Sequence, residues 1–147
     1  MDKNDYIIDI VGTQQIDDDP QQVIEVTTTG EYKLSPTGSI FVRYKEYDED
    51  NVTFMYDTMV KATKDMVTIT KGTSKDTQLI LELDKLHQCC YLTPAGPMII
   101  GVYTSNIEIK QEKDVCIVKA EYTLNFDSHN VSNNTFTIKI RKNNRNK

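Results

Sequence analysis

Apolar and polar residues alternate along most of this chain in short runs, and turn residues separate one run from the next. Residues 115–126 carry the clearest case. One parity holds Cys116, Val118, Ala120, Tyr122, Leu124 and Phe126, while the other passes from Val115 and Ile117 into Lys119, Glu121 and Asn125. Successive side chains of a strand point to opposite faces, so a period of two gives one buried and one wetted face. Residues 135–141 repeat the pattern, setting Phe136, Ile138 and Ile140 against Thr137, Lys139 and Arg141. A helix needs apolar residues about 3.6 positions apart, and these segments do not supply them.

Turn signals divide the chain into about ten strands, read over 6–15, 22–33, 39–47, 52–64, 66–71, 77–83, 97–110, 115–127 and 131–142. The strand at 22–33 is expected to be interrupted or bent at Gly30. Ser35-Pro36-Thr37-Gly38 reads as a turn, because Pro presets its backbone angle and Gly accepts positive φ. Residues 84–90 are the one helix candidate, too short to be more than a turn or cap. Hairpin-length links without crossover helices indicate an antiparallel meander. So many strands twist and curl, and exposed edges invite aggregation, so closure is expected. The predicted fold is an all-β, closed antiparallel meander barrel of about 8–10 strands. It forms a single domain over 1–147, with 1–5 and 143–147 frayed.

A chain of 147 residues can bury roughly two-thirds of its unfolded surface without metals or disulfides. No apolar run approaches the ~18 residues of a membrane helix. The acidic start Met1-Asp2-Lys3-Asn4-Asp5 lacks the features of a signal peptide, and an odd set of cysteines, Cys89, Cys90 and Cys116, does not suit a disulfide framework. A cytoplasmic location with reduced thiols follows as the expectation. The net charge of −5 is uneven: residues 1–60 hold 4 basic and 13 acidic side chains, and 61–147 hold 13 and 9. Within one barrel these halves are neighbours that attract.

Chemistry finds little support. His87, Cys89 and Cys90 lie close in sequence, but adjacent cysteines do not converge on one ion and no second pair completes a zinc set. His87 and His129 are the only histidines, and no nucleophile elbow is present. Asp17-Asp18-Asp19 and Asp48-Glu49-Asp50 read as solvated turns. No catalytic residue, metal ligand or cofactor is expected, and an enzyme is not. The acidic balance argues against nucleic acid as a partner.

A barrel of eight or more strands can hold one small ligand. The strand at 52–64 bears on this, since Asp57, Lys61, Met55 and Met59 share a parity that would form a polar floor if turned inward. Burying unpaired charge costs several kcal/mol, which favours the outward orientation. Residues 98–103, Met-Ile-Ile-Gly-Val-Tyr, are apolar on both parities. Such a strand needs cover on both faces, from its own chain or from a homodimer contact.

Tyr91-x-Thr93-Pro94-x-Gly96, followed by Gly101-Val102-Tyr103-Thr104, resembles the signature of the YwiB-like family, small bacterial proteins of the calycin-like, lipocalin-like barrel type whose function is unassigned. Other elements fall in matching order: Gly12-Thr13-Gln14, Thr29-Gly30-x-Tyr32, Tyr44-x-Glu46, Lys61, Lys71-Gly72, Tyr122-x-Leu124 and Val131-Ser132-x-Asn134. Residues 84–90 depart from the pattern. The resemblance implies an architecture and no activity. Thr93-Pro94 and Gly96 read first as a structural corner. Tyr91, Thr93 and Lys61 are the candidates for a barrel mouth. The function expected is a non-enzymatic barrel binding a small apolar or amphipathic molecule, the alternative being a filled-barrel interaction module that pairs with itself.

Overall fold

The computed structural model describes residues 6–16, 19–47, 55–71, 77–93, 96–125 and 131–143, with backbone alone at 46, 47, 55, 56 and 91–93. The acidic runs at 17–18 and 48–50, His129, and the ends 1–5 and 144–147 lie outside the described residues. Ten strands follow one another: β1 Tyr6–Ile16, β2 Gln22–Leu34, β3 Ile40–Tyr47, β4 Met55–Thr63, β5 Met66–Lys71, β6 Thr77–Glu82, β7 Leu86–Thr93, β8 Gly96–Gln111, β9 Val115–Asn125 and β10 Val131–Lys142. They form one sheet in the order β6-β5-β4-β3-β2-β1-β10-β9-β8-β7, antiparallel throughout. Because β6 and β7 also lie side by side, the sheet curls into a nearly closed meander barrel. This is the predicted fold, with ten strands.

The period-two runs point inward as the sequence implied. Cys116, Val118, Ala120 and Leu124 of β9 are buried, as are Phe136, Ile138 and Ile140 of β10. Ile8, Val42, Val60, Val67, Leu81 and Ile138 are among the side chains wholly removed from water. Each such burial contributes about 1.5–3 kcal/mol. The 35–39 turn closes as expected, with Gly38 at φ +94° donating its N–H to the Ser35 carbonyl at 3.0 Å.

Two expectations are corrected. Residues 84–90 are not a cap: Asp84 takes φ +60° at the turn, a left-handed conformation that Asp tolerates, and β7 begins at Leu86. The strand was hidden because its outward residues Leu86 and Cys90 are as apolar as its buried Cys89, so no alternation marks it. Of the interruption or bend expected at Gly30, the interruption is absent: β2 runs through Gly30, which is where its pairing passes from β1, over 22–30, to β3, over 30–34. The two-sided segment of β8 divides by parity. Ile100 and Val102 are buried, whereas Ile99 is 67% and Tyr103 39% exposed beside Leu86.

The seam between β6 and β7 is held by side chains where a ladder would otherwise run. The Ile80 N–H donates to Cys89 Sγ at 3.3 Å, and His87 Nε2 meets Glu82 Oε1 at 2.8 Å. His87 is therefore half-buried and paired. Its hydrogen bond, with a second from Lys85, holds the Glu82 carboxyl below the usual carboxylate range. Below the seam, the Asp84 N–H donates to the Thr104 carbonyl at 2.8 Å.

Beyond Thr104 the β8–β9 register shifts by one residue, the mark of a β-bulge. Thr104 is fully buried, and its Oγ1 has no hydrogen-bond partner among the described residues. An orphaned buried hydroxyl costs about 1–3 kcal/mol. Thr104→Val, which keeps the β-branched shape, should therefore stabilise the barrel by about 1 kcal/mol. The urea midpoint checks this: an unchanged or lower midpoint would show that the hydroxyl is satisfied.

Candidate functional site

The meander puts the β1–β2, β3–β4, β5–β6, β7–β8 and β9–β10 connections at one end of the barrel, and a cavity of about 240 Å³ opens toward that end. Its floor and walls are apolar, with Ile10, Val26, Ile69, Leu79, Leu124 and Phe136 facing it from six strands. Nearer the mouth the lining turns polar, with Gln14, Gln22, Lys71, Thr77 and Asn134. Ile100, Val102 and Thr104 of β8 are buried but do not line this space, which is bounded by β1, β2, β3, β5, β6, β9 and β10. Beneath it, Val42, Val60, Leu81, Val118 and Ile138 are packed to exclusion of water.

The polar side is partly self-satisfied. Buried Asn134 donates through Nδ2 to the Ser132 carbonyl at 3.1 Å and to Ser132 Oγ at 3.0 Å, and Gln14 Nε2 reaches the same hydroxyl at 3.4 Å. Lys71 shares the inward parity of Val67 and Ile69, and its neighbours across the two ladders are Thr58 and Thr77, both buried. An ammonium is thus flanked by two hydroxyl-bearing residues at the lumen mouth.

Strand β4 turns the other way from a polar floor. Thr58, Val60 and Ala62 are buried, so Asp57, Met59 and Lys61 lie on the outer face, as the cost of burying charge favoured. The lumenal role considered for these three is thereby corrected. Asp57 Oδ2 stands 3.7 Å from Arg43 Nη2, and Lys61 Nζ lies 5.4 Å from the Phe41 ring centroid, a cation–π distance. Their partners Arg43 and Phe41, with Met59, line an outer hollow of about 380 Å³. This hollow is more open to solvent than the lumen and crossed by charge, so it offers a ligand little desolvation.

Tyr91 and Thr93 occupy the end of β7 at the mouth, where Thr93 pairs with Gly96 across a two-residue reversal. Gly96 adopts φ +117°, a region that favours glycine, which fits the structural-corner reading of the motif. The side chains of Tyr91, Thr93 and Met55 lie outside the described residues.

Cys89 and Cys90 point to opposite faces, one buried and one exposed. Burial pushes the Cys89 thiol up, against a smaller lowering by the Ile80 N–H. Cys116 is likewise raised by burial, and Tyr32, in contact with it at the far end of the barrel, is raised first by burial and then by that thiol. Among the described residues, no three His, Cys, Asp or Glu side chains gather as metal ligands. Nor is any helix among them long and apolar enough to cross a membrane.

Eight positions that carried the family resemblance, Gly12, Thr13, Gln14, Tyr44, Lys71, Tyr122, Leu124 and Asn134, all line the lumen cavity. They come from β1, β3, β5, β9 and β10 and are scattered along the sequence. A family model described as a domain of unknown function, DUF1934, matches residues 8–138. The chain belongs to that family. It also resembles the crystal structure of the YwiB protein from Bacillus subtilis, with a TM-score of 0.78 and 16% sequence identity over 96% of this chain and 93% of that one. At that identity the likeness establishes a shared fold, the ten-stranded YwiB-like barrel. No curated protein matches the chain. Membership in DUF1934 therefore brings an architecture without an assigned activity.

The polar lining of the lumen was only half visible beforehand. Lys71, Gln14, Asn134 and Tyr44 were quoted as parts of a resemblance, but nothing in their spacing says that they meet. The signal that could have joined them was parity. Each lies on the same strand face as its neighbouring core residues: Lys71 with Ile69, Gln14 with Ile10, Asn134 with Phe136.

Proposed function

We propose that this barrel is a non-enzymatic carrier or sensor of one small amphipathic molecule, held in the lumen with its apolar part downward and its polar end at the mouth. The observation that carries this reading is the division of the cavity into an apolar floor at Ile10, Ile69, Leu79 and Phe136 and a polar rim at Gln14, Lys71, Thr77 and Asn134. Pockets for small molecules combine an apolar lining with a few placed polar groups in this way. The exposed rim side chain Ile24, 59% accessible although it faces the cavity, adds apolar surface that an occupant would cover.

The volume suits a short molecule. At roughly 30 Å³ per heavy atom, taking the share of a liquid water as a guide, 240 Å³ holds about eight such atoms, enough for the alkyl chain of 1-octanol with its hydroxyl at the open mouth. Titration with 1-octanol, followed by amide and methyl NMR shifts, tests the proposal. Saturable shifts should concentrate on Ile10, Ile69, Leu79 and Phe136. Shifts confined to the outer hollow near Phe41 and Met59, or none at millimolar octanol, would overturn it.

A further inference from the structure

We propose that the chain forms a two-fold dimer through the lower half of β8, where residues 105–111 of two copies pair edge to edge and antiparallel about Ile109. The contact lies away from the lumen mouth and is independent of what the lumen holds.

The barrel wall is incomplete at this place. Strand β7 covers β8 only from Gly96 to Tyr103, which stands opposite Leu86, and β6 meets β8 at the bridge between Leu83 and Thr104. The Thr104 carbonyl also takes the Asp84 N–H from the turn. Beyond the register shift after Thr104, β8 continues from Asn106 to Gln111 with β9 on one side. Among the described residues, no strand pairs with its other side. Ile107 and Ile109 are a second sign of the missing neighbour. Both stand on the inward parity, opposite buried Ala120 and Val118, yet both are only half-buried. A free row of backbone N–H and C=O groups beside incompletely covered apolar side chains is a template for an added strand.

The outer side chains say which strand fits. Glu108 and Lys110 are exposed and two residues apart, so both project from the outer face. A lone charge on an edge repels its own copy and guards against self-pairing. Two opposite charges at this spacing do the reverse in one register. With Ile109 opposite the partner's Ile109, each Glu108 meets the partner's Lys110, and Ile107 meets the partner's Gln111 on the inner face. Centring the pair on residue 108 or 110 instead sets like charges against each other. A slip of one residue turns the core face of one barrel against the outer face of the next. The two-fold axis makes the contact isologous, so each favourable pair occurs twice. An unrelated strand could satisfy the same backbone groups but would not carry this charge pattern.

A contact this short falls at the low end of interface size, so dissociation is expected at about 0.1–1 mM. Sedimentation velocity on the full chain, as a concentration series up to about 1 mM, reads it directly. Glu108→Lys and Lys110→Glu, both at exposed positions, should each weaken the dimer about tenfold, because two cross-strand pairs turn repulsive at once. Lys119 faces Glu108 within the chain, so the decisive sample is an equimolar mixture of the two variants. It should regain the parent affinity, since the lysines of one variant then face the glutamates of the other. A monomer throughout the series, a dimer that either substitution leaves unchanged, or a mixture no tighter than its components would overturn the proposal. Should either variant not fold, Glu108→Lys and Lys110→Glu combined on one chain carry the same test: parent affinity supports the pairing and a monomer overturns it.

Discussion

Gly30→Ala should remove about 3 kcal/mol or more of folding stability, the upper end of what overpacking costs, read as a shift of the urea midpoint. A β-carbon at Gly30 would collide with the Arg43 carbonyl oxygen and lie 2.6 Å from Ile8 Cδ1 and 3.0 Å from Tyr44 Cβ. None of these can yield cheaply. The Arg43 carbonyl belongs to β3, which is laddered to β2 at this level, and Ile8 is fully buried. Gly12 is the control, for its added β-carbon would approach only the Thr135 carbonyl, at 3.9 Å. Gly12→Ala should therefore change stability by less than about 1 kcal/mol, in line with a strand glycine of modest intrinsic propensity. Comparable losses at Gly12 and Gly30 would show that backbone freedom, and not the close approach of β1, β2 and β3, is what Gly30 provides.

Ile138→Ala should cost about 4 kcal/mol, while Ile10→Ala, one strand away, should cost closer to 2. The two residues face each other across the β1–β10 ladder and differ in what lies beyond them. Ile138 is wholly buried in the packed lower half, so its truncation leaves a sealed apolar void. Ile10 is 8% exposed and lines the open cavity, so its truncation widens a space that already exists. The penalty for large-to-small changes grows with the void that neighbours fail to fill, and at Ile10 much of that void is present beforehand. Paired denaturation curves test this. Equal losses would mean that the lumen is closed in solution and packed as tightly above as below.

The fold was largely legible because one parity of each clear strand is apolar over its whole length. Residues 115–126 and 135–141 could be assigned a face without reference to any neighbour, and the turn at 35–38 announced itself through Pro36 and Gly38. Strand β7 was not legible, since Leu86 and Cys90 face outward while Cys89 faces in, and a two-sided apolar strand at a seam has no alternation to read. The site was harder for a different reason. Parity places Lys71 inward, yet a lysine at the end of a six-residue strand beside a polar turn reads by itself as a solvated end. Only closure of the barrel sets it opposite Gln14 and Asn134. Asp57 and Lys61 illustrate the converse: neighbours on one strand face, they suggested a polar floor, and the decisive fact was that Thr58, Val60 and Ala62 between and beside them are buried.

The seam between β6 and β7 makes this barrel a ribbon with two real edges. From β7 through β10 to β1 and on to β6, each strand is laddered to the next, and the sequence order is broken only by the passage from β10 to β1. At that passage Tyr6 stands opposite Lys142, in mid-ribbon, while the ribbon's edges are joined by the short turn at Asp84. A chain cut at Asp84 and linked from Lys142 to Tyr6 would thus traverse the ribbon from one edge to the other without doubling back. In the natural order the three-residue tether from Glu82 to Leu86 holds the two edges together, and the barrel's closure is a property of connectivity before it is one of hydrogen bonding.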